Sequence, residues 1–243
     1  MVLKLLFLLC LIVLMICVPW YLKALCPEKC RKSLILKMIC STMFVSIGVL
    51  SMYISGNTST YAIIMLIGLV LGWIGDYFLH AKPSDAYFVT GFISFLIGHF
   101  FYIGAYVRTL PKLFPDYEMI SAVEIAVEIL FIALGLVALK VFKVKLNPKI
   151  LKVGIYFYFA IVTFMFIKAS ALGYNYYKSG ASYGIVAFIL LSLGSLFFVL
   201  SDATLGIISF GGQKKNYPLK IFNILTYFWG QAMLASSILF IEA

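Results

Sequence analysis

Apolar runs of about twenty residues recur along the chain, separated by short polar stretches. They fall at about 3–22, 34–54, 59–81, 85–107, 119–140, 150–171, 182–209 and 219–241. At 1.5 Å per residue, each run is near the length that a helix needs to cross the ~30 Å hydrocarbon layer of a bilayer. A transmembrane barrel would instead show alternating segments of about ten residues, and the sequence has none. No polar stretch exceeds about a dozen residues. The pattern therefore predicts an all-α polytopic bundle of eight transmembrane helices, with residues 1–243 forming a single integral membrane domain.

Composition sharpens this. The chain is 64% hydrophobic and 12% charged, with a mean hydropathy of +1.08, which excludes a soluble domain. Its net charge of +10 does not point to nucleic acid, because the basic residues sit in the loops. Loop 1 is assigned Lys23, Lys29, Arg31, Lys32 and Lys37, and loop 3 has Lys82. Loop 5 has Lys140, Lys143, Lys145, Lys149 and Lys152, and loop 7 has Lys214, Lys215 and Lys220. The other side holds Lys4, Arg108, Lys112, Lys178 and, read as near a helix end, Lys168. The positive-inside rule then puts the odd-numbered loops in the cytoplasm and both termini outside, with the plasma membrane as the expected location. The N-terminal segment has the Lys4 and apolar core of a signal peptide but no small-x-small cleavage site, so it is read as a retained first helix. Cys26 and Cys30 form a CxxxC, but four zinc ligands cannot be assembled around it, and the thiols are read as reduced and incidental.

Among the nine acids, Asp76 and Asp202 fall deep within spans, and Glu124 and Glu128 lie one turn apart in the fifth. An intramembrane acid is costly and is expected to face the bundle interior or a wet cavity. Asp76 and Asp202 lie at like depth on two helices of like direction, roughly 9–12 Å from the cytoplasmic boundary. If those helices are neighbours, the carboxyls share one cavity. Each acid is followed by a returning helix with polar groups, His99 and Tyr102 in one case, Tyr227 and Gln231 in the other. Helices 3–4 and 7–8 thus resemble a parallel 4+4 internal repeat. His80 lies one turn beyond Asp76, where it either tunes that acid or sits at the interface. Glu124 and Glu128 read better as a polar stripe at the outer end of helix 5 than as cavity lining. Gly68-x3-Gly72, with Gly75, reads as helix packing. A metal held by Asp76, His80 and Asp202 would be short of imidazoles, since the chain has two histidines. Gly180-Ala-Ser-Tyr-Gly184 fits G-x-S-x-G, but that motif needs a strand-turn-helix elbow, and here it opens the seventh helix.

Several of these residues carry a family resemblance. Gly75-Asp76 with Leu79, Gly91 followed by His99-x-x-Tyr102 (one residue longer than the usual spacing), Ser201-Asp202 and Tyr227-x3-Gln231 resemble the YhhN family, the lysoplasmalogenase-like integral membrane proteins. Tyr156 and Met165 resemble the family's tyrosine-to-methionine segment, and the resemblance covers roughly residues 60–240. It implies hydrolysis of the vinyl ether bond of a lysoplasmalogen, a lysophospholipid, to a fatty aldehyde and glycerophosphocholine or glycerophosphoethanolamine. It also implies Asp76 and Asp202 as the catalytic pair. His99, Tyr102, Tyr227, Gln231 and His80 are then candidates to orient water or bind substrate, with no metal or cofactor required. The chemistry suits two carboxyls: one holds a proton for the enol ether carbon while the other stays ionised beside the oxocarbenium ion, as in paired-carboxylate glycosidases. Two other classes share the same acids: a small proton-coupled carrier, and a non-catalytic lipid-binding membrane protein.

Overall fold

The computed structural model describes residues 1–25, 30–56, 58–144 and 149–241. Cys26 of the CxxxC and the loop lysines Lys29 and Lys145 lie outside the described residues.

Local chemistry fixes the helix ends. Cys30 opens α2 (Arg31–Ser55) with a capping box, its thiol accepting from the Ser33 amide. Ser59 caps α3 (Thr60–Ala81), Ser84 caps α4 (Asp85–Leu113) and Ser121, with Glu124, forms a second capping box on α5 (Ala122–Val141). Asn216 caps α8 (Tyr217–Ser237), and Gly56 ends α2 at φ 65°, a conformation open to glycine. The remaining helices are α1 (Val2–Ala24), α6 (Lys149–Lys178) and α7 (Gly184–Phe210). Cys30 thus serves as a helix cap, and Gly180 to Tyr183 form a turn ahead of α7 rather than a nucleophile elbow.

Among the described residues, seven of these eight helices are long and apolar enough to cross a membrane, which makes the chain an integral multi-pass protein. The exception is α8. It is 21 residues long but more polar, since it carries Lys220, Asn223 and Gln231, and it buries Thr226, Tyr227, Gln231 and Ser237 inside the bundle.

Sequential helices pack as hairpins, α1 on α2, α3 on α4, α5 on α6 and α7 on α8. Cross-packing then joins them: α2 lies against both α3 and α8, and α6 lies against both α7 and α4. α5 rests on α6 and buries none of its residues. Two residues assigned to loops or helix ends by charge belong to helix interiors. Lys37 is in the second turn of α2 and mostly buried, and Lys168 is ten residues inside the end of α6 and fully buried. Each is there because it has a carboxylate partner, Asp76 for Lys37 and Glu124 for Lys168.

Close approach of α3 to its neighbours depends on the glycine stripe. A Cβ on Gly68 would stand 2.5 Å from the Tyr102 ring, one on Gly72 2.6 Å from Gln231 Nε2, and one on Gly75 2.6 Å from the Phe95 ring. The stripe therefore packs helices and also seats three polar or aromatic groups of the site. Gly68→Ala is expected to lower stability in detergent by about 1–3 kcal/mol through overpacking against Tyr102. Gly104→Ala, where an added Cβ meets nothing within 4 Å, serves as the control in the same melting experiment.

Candidate active site

Three polar residues of α2 recur every four positions, Ser33, Lys37 and Ser41, and so share one face toward α3. Asp76 meets this face five residues before the end of α3. Lys37 Nζ lies 2.8 Å from its Oδ1, while Ser41 donates to Oδ2 at 2.5 Å. From α8, Tyr227 donates to the same Oδ2 at 2.7 Å. The Asp76 carboxylate is thus buried with an ion pair and two hydroxyl bonds, the arrangement a charge needs in a low-dielectric interior.

Tyr227 connects onward. Gln231 Nε2 donates to its hydroxyl at 3.4 Å, and Tyr102 of α4 donates to Gln231 Oε1 at 2.9 Å. Tyr102, Gln231, Tyr227 and Asp76 therefore form one hydrogen-bonded chain through three helices, α4, α8 and α3, and all four were singled out from the sequence.

Asp202 lies eight residues before the end of α7 and has different company. Tyr158 of α6 donates to its Oδ2 at 2.7 Å. His99 Nε2 of α4 stands 3.6 Å from the same oxygen, too far for a good hydrogen bond. The other ring nitrogen, Nδ1, is 2.7 Å from the Phe95 carbonyl oxygen. A carbonyl only accepts, so Nδ1 carries a hydrogen and Nε2 is the atom left facing the carboxyl. Nε2 is fully buried and has no hydrogen-bond partner. The Asp202 side chain is 10% exposed against 2% for Asp76, so Asp202 is the more accessible of the two.

Aromatic rings join the two clusters. Phe198 packs edge-on against His99 (4.7 Å between centroids) and against Tyr227 (5.6 Å). Phe95 packs on Phe198 and Tyr227. The two carboxyls take their partners from different helices, Asp76 from α2 and α8 and Asp202 from α6 and α4.

The other polar residues of the spans fall elsewhere. His80 is buried, with Nε2 2.8 Å from Ser33 Oγ and Nδ1 3.4 Å from the Tyr21 hydroxyl, so it ties α3 to α2 and α1. Glu124 accepts from Tyr117 and pairs with Lys168 at 2.9 Å, while Lys168 also donates to the Met119 carbonyl. Glu128 accepts from Thr163 at 2.8 Å. The two glutamates thus dock α5 onto α6. In helix 6 the tyrosine that reaches the site is Tyr158, whereas Tyr156 is 38% exposed. A signal for this exists: Tyr158 is seven residues before the buried Met165, on the same helical face, and Tyr156 is not. Lys37 and Ser41 were legible in principle as a serine-lysine-serine stripe.

An all-helical bundle with two interior carboxyls, each gripped by side chains from other helices, defines a polytopic membrane protein with a buried acidic centre. The profile of the YhhN family matches residues 1–238, nearly the whole chain, and the protein belongs to that family. The match takes in α1 and α2, which the motifs of residues 60–240 left out. No curated protein and no solved structure matches significantly.

Proposed function

We propose that this protein is a lysoplasmalogenase, an ether hydrolase that cleaves the vinyl ether bond of lysoplasmalogens. Family membership is consistent with a hydrolase. The observation that carries the reading is the unequal setting of the two carboxyls. Asp76 has a lysine beside it and serves as the fixed negative charge. Asp202 has a tyrosine hydroxyl, an imidazole and some exposure, and serves as the proton donor.

In this mechanism Asp202 transfers its proton to the enol ether carbon remote from oxygen. The resulting oxocarbenium ion is stabilised by the carboxylate charge. Water adds to the carbon bearing oxygen and returns its proton to Asp202. The hemiacetal then breaks its carbon–oxygen bond, giving the aldehyde and the free glycerol hydroxyl, so one water is consumed per bond cleaved. His99 Nε2, facing Asp202, exchanges a proton with it during hemiacetal collapse. Tyr227, Gln231 and Tyr102 orient Asp76 and the water. The aliphatic chain stays in the bilayer, and basic residues at the cytoplasmic rim attract the phosphate headgroup.

The test is aldehyde release by the purified chain in detergent from a lysoplasmenylethanolamine, with the saturated alkyl ether analogue as control. Aldehyde from the first and none from the second supports the reading. Intact lipid after prolonged incubation, or lipid moved across vesicles without cleavage, sinks it.

Two further parts of the reading accompany it. We propose that α1–α4 and α5–α8 are related as a 4+4 repeat, because α2 against α3 and α8 corresponds to α6 against α7 and α4. An experimental structure whose halves fail to superpose would overturn this. The basic loops support a plasma-membrane placement with both termini outside. A C-terminal reporter found in the cytoplasm would reverse the orientation.

A further inference from the structure

At the end of the α3–α4 hairpin away from the carboxyls lies a cavity of about 180 Å³ lined by Thr60, Tyr61, Arg108, Thr109 and Lys112. The start of α3 and the end of α4 meet there, which places the two helices antiparallel. We infer that this cavity is an anion site that takes a phosphate group.

Four features converge. α3 begins at the cavity, so the amides of Thr60 and Tyr61 lie in the first turn, where helix N–H groups have no intrahelical acceptor and the dipole favours negative charge. Arg108 and Lys112 are four residues apart on α4 and project to one side. Neither belongs to an ion pair among the described residues, where the pairs are Lys37 with Asp76, His99 with Asp202 and Lys168 with Glu124. Thr109 is only 3% exposed, yet its hydroxyl bonds to nothing among the described residues. By contrast, Thr90, Thr204 and Thr226 each donate to the carbonyl four residues back. An unused hydroxyl in the cavity wall, beside two cations outside any ion pair and a helix start, is a set of donors without an acceptor. A tetrahedral phosphate supplies acceptors in several directions, and guanidinium suits it bidentately.

Arg108 and Lys112 also run against the charge pattern of the chain, since they belong to the basic-poor side. A ligand for them accounts for that exception. The site does not hold the phosphate of the proposed substrate. Asp76 is sixteen residues along α3 from Thr60, about 24 Å away, whereas only a glycerol separates phosphate from vinyl ether in that lipid. The inference is therefore independent of the proposed reaction.

The ligand is either a lipid headgroup of the adjoining leaflet or free phosphate, and calorimetry on the full chain in neutral maltoside micelles distinguishes them. Inorganic phosphate is titrated at fixed ionic strength, and dihexanoylphosphatidylglycerol in parallel. Binding of the lipid alone assigns the headgroup; binding of both assigns the phosphoryl oxygens. In either case Arg108→Gln with Lys112→Gln weakens binding about tenfold or more. Thr109→Val weakens it less, and Lys4→Gln, on the exposed start of α1, leaves it unchanged. Absence of binding by both probes, or binding equal in parent and double variant, overturns the proposal. In that event the two cations only complement the C-terminal dipole of α4.

Discussion

Asp202→Asn is expected to reduce aldehyde release by about 10²–10⁴-fold, the contribution of a positioned general acid. The amide keeps the volume of the carboxyl, and its oxygen still accepts from Tyr158, so packing around α7 is retained. What is lost is the transferable proton beside His99 Nε2. The readout is the initial rate of aldehyde formation, taken with a melting curve in the same detergent. An inactive variant that melts like the parent assigns the loss to chemistry. A fully active one removes Asp202 from the mechanism.

Lys37→Met should act on stability instead. The substitution leaves the Asp76 carboxylate buried with hydroxyl partners but no cation, and breaking one side of a buried ion pair typically costs about 3–5 kcal/mol. The double variant Lys37→Met with Asp76→Asn should recover most of that loss, because the amide needs no counter-charge and still accepts from Ser41 and Tyr227. Melting of all four proteins closes a double-mutant cycle. If the single lysine variant melts like the parent, the ion pair is not what holds α2 on α3. Activity of the double variant should stay low, since the fixed negative charge is gone.

The helices were the most legible part of this protein, because a twenty-residue apolar run has few other fates. The interior acids were legible for the same reason: an acid inside such a run stands out. Tyr102, Tyr227 and Gln231 could be singled out as polar groups on apolar helices, and the structure joins them to Asp76. Their partners on other helices were harder. By sequence Lys37 reads as a loop charge, because a lysine near a helix start ordinarily marks topology, and only the contact between α2 and α3 reveals the ion pair. Tyr156 and Tyr158 are two residues apart, and the choice between them depends on which face of α6 meets α7. Phe198 gives no sign of its role in a helix full of apolar residues. His80 follows Asp76 by one turn, yet it bonds to Ser33 and Tyr21, because spacing fixes a helical face but not the neighbour it meets.

The pairing of Lys168 with Glu124 bears on how the chain is made. A lysine entering the bilayer within a helix costs up to about 3 kcal/mol when it enters alone. Glu124 precedes it in the chain and is already held at the start of α5 by the Ser121 capping box. When α6 emerges from the ribosome, the counter-charge for its lysine is therefore waiting, and α5 and α6 are suited to enter the membrane as one hairpin. A helix that contributes no buried residue to the bundle would then act, at insertion, as the escort of the helix that follows it.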